Sequence, residues 1–250
     1  MLSANRIRAV KALQNKKNRQ ERGLFVVEGA KTVQECLHSD WKIAEIFSTE
    51  AFLRSLPTAL IGRTSYHTCT PADLERMGSF QSNDAALAVL EMKSWGMLPT
   101  ATKGLTLALD TVNDPGNLGT ILRLADWYAC DAVICSPETA DMYNPKTIAA
   151  SKGSFLRMPV YYTSLDEWLP KVTVPVYAAL LQSASVHYAT LETPAILLMG
   201  NEANGIRPHL LPLVQHPISI PRFGHAESLN VASAAAILVD RFMSRHHPPS

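Results

Sequence analysis

The sequence predicts an α/β protein with a small α/β unit at the N-terminus and a larger C-terminal domain built on a parallel sheet. Short, near-continuous apolar runs recur beyond residue 104, as expected of strands buried on both faces. Segments of helical periodicity lie between them, the rhythm of strand, loop and helix. A stretch without periodicity, KSWGMLPTATKG, carries Gly96, Pro99 and Gly104 and separates the two parts. The expected division is 1–95, a linker at 96–104, and 105–250.

In the first part Ile7, Val10 and Leu13 recur at helical spacing, and the polar run NKKNRQERG ends that pattern at Gly23. LFVVEG reads as a strand. AKTVQECLHS reads as a helix with Val33, Cys36 and Leu37 on one side. A strand at Lys42 to Ser48, a helix from near Pro71 and a strand at Ala86 to Glu91 complete the unit. In the second part LTLALD is a strand, VNDPGNLG a turn-forming loop, and TILRLADWYA a helix. DAVICS, VPVYAALL, AILLMG and HPISIP are further strands. The last helix, VASAAAILVDRFM, has so little bulk that it needs close neighbours over much of its circumference, in the core or at a subunit interface.

At 47% hydrophobic and 18% charged the chain has the composition of a globular protein, which excludes disorder. It has no apolar run of signal-peptide or membrane-helix length, so a cytoplasmic location is expected. Cys36, Cys69, Cys130 and Cys135 lack metal-site spacing and are expected to be buried thiols, with no metal bound. The net charge of +1 hides a gradient. Arg6, Arg8, Lys11, Lys16, Lys17, Arg19 and Arg22 face only Glu21, which makes either a phosphate footprint or a solvated helix.

In an open parallel sheet, ligands bind at the loops leaving the carboxyl ends of the strands. Three loops qualify: NDPGNLG, GNEANG and RFGHAES. None carries a dinucleotide or P-loop fingerprint, which argues against a dehydrogenase or nucleoside triphosphatase. Taken singly, each has a structural reading beside a functional one. Asn113 and Asp114 can form an Asx turn. Arg123 can pair with Glu202 or hold a substrate phosphate. Gly200 and Gly205 permit tight turns near a ligand. Ser228 and Asn230 can simply cap the last helix.

Taken together, NDPGNLGTILR, MGNEANGI and ISIPRFGHAESLNVASAAAI, in that order and each after a strand, resemble the three signature motifs of the SpoU/TrmH-type ribose methyltransferases of the SPOUT class. Upstream, QNKKNRQERGLFVVEGAKTVQECL is similar to the start of that family's ribosomal-protein-like RNA-binding domain. The resemblance implies a C-terminal domain with a deep trefoil knot, a homodimer formed through it, S-adenosylmethionine as methyl donor, and ribosomal or transfer RNA as substrate. It assigns donor contacts to Gly200, Ile220 and Leu229. It places Asn117, Arg123, Glu202, Ser228 and Asn230 around the transfer site, while the N-terminal run of cations is the ground for expecting RNA contacts at Arg6, Arg8, Lys16, Lys17 and Arg19. Arg222, Ala149 and the run SKGSFLR depart from the family pattern beside the pocket. A guanidinium does not deprotonate at neutral pH, so Arg123 is expected to stabilise the emerging oxyanion electrostatically. A silent RNA-binding protein of the same fold, or a base methyltransferase, are the alternatives.

Overall fold

Ser3 opens the first helix by accepting from the Arg6 amide, and α1 (Ala4–Lys11) follows. The structure, a computed structural model, describes residues 2–61, 64–100, 102–201 and 203–246. The polar run that the sequence reading treats as the end of a helix is itself helical, as α2 (Lys16–Arg22). Asn15 caps it by accepting from the Lys17 amide, and Gly23 ends it at φ 63°. Then come β1 (Leu24–Glu28), α3 (Ala30–His38), β2 (Ile43–Ser48), α4 (Glu50–Ser55), α5 (Thr58–Ile61), β3 (Ser65–Thr68), α6 (Pro71–Met77) and β4 (Ala86–Glu91). The four strands form one sheet in the order β1-β4-β2-β3, in which only the β2–β3 pair is parallel.

Strand alternation sends Val26, Phe47, Leu87 and Val89 to one face, where Ile7, Val10, Leu74 and Met77 of α1 and α6 cover them. α3 contributes Val33, Cys36 and Leu37, as its periodicity indicates. Phe25 points the other way, into an aromatic cluster. Its ring centroid lies 5.6 Å from Trp41, 4.7 Å from Tyr143 and 5.9 Å from Phe155.

Tyr143 and Phe155 belong to an excursion from the second half of the chain. The compact units are Met1–Ser94 with Tyr143–Leu156, and Trp95–Met142 with Arg157–Ser250. The sequence reading keeps 105–250 continuous and does not anticipate this segment. It is fastened within the first unit: the Trp41 indole donates to the Leu156 carbonyl at 3.0 Å, and Tyr143 O–H donates to the Lys93 carbonyl at 3.0 Å. Gly153 is required there. Its φ is +91°, a backbone conformation that residues with a Cβ rarely adopt.

The second unit begins with β5 (Leu105–Leu109), α7 (Pro115–Trp127) and β6 (Ala132–Cys135). α8 (Pro145–Ser151) is the helix of the excursion. β7 (Val160–Tyr162), α9 (Leu165–Trp168), β8 (Val176–Ser185), β9 (Ala195–Met199), β10 (His216–Ser219) and α10 (Val231–His246) follow. All strand pairs are parallel, in the order β10-β8-β9-β5-β6-β7, so the parallel α/β expectation holds. β5 and β9 are central and wholly buried. α7 starts earlier than the sequence reading places it, because Asp114 caps it and Pro115 occupies a first-turn position where no N–H is needed.

α10 packs on α7 and buries Val231, Ala232, Ala235, Leu238, Val239 and Phe242, while Ser233, Ile237 and Asp240 stay exposed. Within one chain it is therefore an ordinary one-faced helix, short of the all-round burial expected from its alanines. All four cysteines are free, and Cys36, Cys130 and Cys135 are buried. Among the described residues no helix is long and apolar enough to cross a membrane, and no cluster of His, Cys, Asp or Glu could hold a metal.

Candidate functional site

β9 lies between β8 and β5, so the direction in which strands are added reverses beside it. That is where an open parallel sheet leaves room for a ligand. A cavity of about 500 Å³ occupies the place, within the range of small-molecule sites. A break in pairing helps to open it. β10 pairs with β8 at Pro217↔Ala178 and resumes at Ile218↔Ala184, so the intervening residues leave the ladder, and Ala179, Leu180 and Leu181 line the cavity.

Gly200, Ile220, Ser228 and Leu229 all line this cavity, together with Arg222. Gly200 is needed for a backbone reason: a Cβ would lie 2.2 Å from the Gly205 carbonyl carbon. The two sides of the loop meet there in a small bridge, the Asn201 and Gly205 amides each donating to the other's carbonyl at 2.9 Å. Leu229 is 48% exposed on the cavity wall, a large apolar side chain left uncovered. Arg222 donates weakly to the Ala226 carbonyl at 3.5 Å.

The Asn117 amide donates to Asp114 Oδ1 at 2.9 Å, and Asn117 Oδ1 accepts from Asn230 Nδ2 at 3.0 Å. Asn230 also caps α10, its Oδ1 accepting from the Ala232 amide at 2.9 Å and the Ser233 amide at 3.3 Å. The capping and site readings of Asn230 are thus compatible: one amide fixes a helix start and ties the third loop to the first. Arg123 lies outside the cavity lining, on the exposed face of α7 that also carries Thr120 and Trp127. Among the described residues it makes no hydrogen bond or ion pair. Glu202, its candidate partner, lies outside the described residues.

The sequence reading missed Asp110 and Arg207. Asp110 is fully buried at the exit of β5, and its carboxylate accepts from the Arg207 backbone amide at 2.8 Å and from Nε at 2.7 Å. An aspartate ending an apolar run was the available signal, since a charge there must be paired.

The N-terminal cations separate into two groups. Arg19 is 1% exposed and donates to the Leu13 and Gln14 carbonyls at 3.0 and 2.9 Å. It holds α2 against the preceding turn, and its expected RNA contact is withdrawn because its guanidinium is buried. Arg6 is paired with Glu45, and Arg8 donates to Asn5 Oδ1 at 2.8 Å. Lys11, Lys16 and Lys17 are exposed, with Lys17 3.9 Å from Glu21.

Residues 104–240 match the model of the SpoU rRNA methylase family, and residues 4–88 match the MRM3-like substrate binding domain. The chain is 33% identical to the 23S rRNA (guanosine(2553)-2′-O)-methyltransferase RlmP of Bacillus subtilis (strain 168), over 92% of each chain. It is 27% identical to the 23S rRNA (uridine(2479)-2′-O)-methyltransferase of Streptomyces viridochromogenes, covering 93% of this chain and 87% of that one. Among solved structures, a TrmH-family protein from Porphyromonas gingivalis superposes with TM-score 0.87 at 33% identity, over 98% of this chain and 99% of that one. An AdoMet-bound rRNA methyltransferase from Sinorhizobium meliloti gives TM-score 0.87 at 27% identity, over 100% and 97%. The family model spans more than half of the chain and the 33% identity extends over 92% of it, so the chain belongs to the SpoU rRNA methylase family.

Proposed function

We propose that this protein transfers a methyl group from S-adenosylmethionine to a ribose 2′-hydroxyl of ribosomal RNA, with the N-terminal unit capturing the RNA. The observation that carries the reading is the cavity at the reversal point of the parallel sheet, walled by two of the three motif loops and tied to the first through Asn230 and Asn117. Apolar walls from Leu180, Ile218 and Leu238 suit a purine, and the backbone edges of the Gly200 and Leu229 loops supply polar groups. The chain's residues therefore fit the donor, which when bound supplies an electrophilic methyl group. The knot implied by the resemblance belongs to this reading, and the insertion of β9 between β5 and β8 supports it.

The chain's own contribution is to align a hydroxyl with that methyl and to favour loss of its proton. Asn117 and Asn230 hold the first and third loops in register. Arg123 supplies positive charge. A cation about 4 Å from a developing oxyanion is worth about 1 kcal/mol in water and about 4 kcal/mol at an effective dielectric near 20. Arg123 is exposed, so the larger figure requires bound RNA to exclude water. A homodimer is part of the proposal. Trp127 of α7 is 82% exposed and Ile237 of α10 is 36% exposed on two helices that pack together, an apolar surface suited to a second copy. Arg123 shares the exposed face of α7 with Trp127 and lies outside the cavity lining of its own chain. A cytoplasmic location is proposed with the substrate.

Calorimetry with S-adenosylmethionine tests the donor reading. Stoichiometric binding and a raised melting temperature are expected. A folded sample with neither would contradict enzymatic function and favour the silent RNA-binding alternative.

A further inference from the structure

The loop leaving β9 forms one wall of the cavity through Gly200, Asn201, Ala203, Asn204 and Gly205. Its two ends are fastened to adjacent residues at the exit of β5, one to Thr111 and the other to Asp110. At the near end Asn201 Nδ2 donates to the Thr111 carbonyl at 2.9 Å. At the far end Arg207 donates through its backbone amide to Asp110 Oδ2 at 2.8 Å and through Nε to Oδ1 at 2.7 Å. Asp110 is itself fixed, its amide donating to the Met199 carbonyl at 2.8 Å.

The pairing is specific in both partners. Asp110 is 0% exposed, and a buried carboxylate without a partner is strongly unfavourable. The Arg207 backbone amide reaches one oxygen and its Nε–H the other; a lysine would keep the amide contact and lose the Nε–H. Outside it, Arg207 Nη1 lies 3.7 Å from Glu138 Oε2, so the guanidinium is also held from the β6 side. Neither Asp110 nor Arg207 lines the cavity.

We propose that Asp110 and Arg207 are positioning residues that clamp the β9 loop in its donor-binding conformation, so that the cavity wall is formed before S-adenosylmethionine arrives. The proposal rests on the reading of this cavity as the donor site. A wall held in advance spares the ligand the ordering of that loop, and loss of the clamp transfers the ordering to the binding step. The effect belongs in donor affinity, with little in the chemical step.

Calorimetry with S-adenosylmethionine and steady-state methylation on the full chain decide it. Asp110→Asn keeps the shape and removes the charge, and Arg207→Lys keeps the charge and removes Nε. Each is expected to raise the donor Kd and KM at least about tenfold. Each should leave kcat at saturating donor within about threefold of the unaltered chain. Asp166→Asn, which removes the carboxylate 2.9 Å from His209, serves as a control with unchanged affinity. Should Asp110→Asn fail to fold, Asp110→Leu combined with Arg207→Leu removes the buried carboxylate together with its half-buried partner charge and is expected to fold with the same loss of affinity. Normal donor Kd in any folded clamp variant overturns the proposal, even if its melting temperature falls, because the pair would then serve stability alone. If the unaltered chain binds no donor, the site reading fails and the clamp with it; a normal parent with normal variants contradicts the clamp by itself.

Discussion

Arg19 and Arg123 are both cations in stretches that the sequence marks for function, and burial separates them. Arg19 is 1% exposed and satisfies two carbonyls, so Arg19→Ala should destabilise the fold by about 3 kcal/mol, measured by urea denaturation, while the other N-terminal cations still bind RNA. Arg123 is exposed on α7, so its replacement should leave the fold and donor affinity intact. Arg123→Ala and Arg123→Lys are each expected to lower single-turnover methylation at least about a hundredfold, or about 2.7 kcal/mol of transition-state stabilisation. Substantial activity in Arg123→Lys would point to simple charge pairing. The buried thiols carry a separate expectation. Burial pushes Cys36 and Cys130 up to about 12, whereas an unfolded thiol ionises at about 8.5. The unfolded chain therefore loses these protons first, so their contribution to stability is complete below about pH 8.5 and lost as pH rises toward about 12. A urea midpoint that falls between about pH 8 and pH 10 would show it.

The excursion around α8 shows what local patterning conceals. Phe155 is 0% exposed beside Phe25 and Trp41, so Phe155→Ala should cost about 3–5 kcal/mol, read from the denaturation midpoint. A fragment of residues 1–94 should lack the near-ultraviolet signature of a packed Trp41 until residues 143–156 are supplied. Periodicity located α3 with its buried Val33, Cys36 and Leu37, and the bounds of β4, because an amphipathic face and an apolar run are written locally. It did not extend to α8, whose Thr147, Ile148 and Ser151 are buried against chain more than a hundred residues away. α2 was missed for a different reason. Its polar sequence has almost no apolar stripe, and the helix is held by caps at Asn15 and Gly23 and by buried Arg19. At the site, the motif loops were legible because glycine, asparagine and arginine follow apolar strands. The Asp110–Arg207 pair was not, since its members stand far apart in the chain and meet only in three dimensions.

For the whole molecule the proposal joins RNA capture, donor binding and dimerisation. Lys11, Lys16 and Lys17 are exposed lysines of the N-terminal segment, and neutralising all three should flatten the log–log salt dependence of RNA binding by up to about three. An unchanged slope would assign them to a solvated surface. Light scattering at micromolar concentration should report twice the chain mass. Trp127→Glu, which places a charge in the exposed α7 surface, should return a monomer. Methylation by that monomer at the parental rate would separate dimerisation from catalysis. The central claim concerns the product. Ribosomal RNA from cells lacking the gene should be incubated with the purified protein and methyl-labelled S-adenosylmethionine, then digested to nucleosides and analysed by mass spectrometry. The account expects label in a single 2′-O-methylnucleoside, its ribose heavier by one methyl group and its base unchanged; label on a nucleobase, or none despite donor binding, would contradict it.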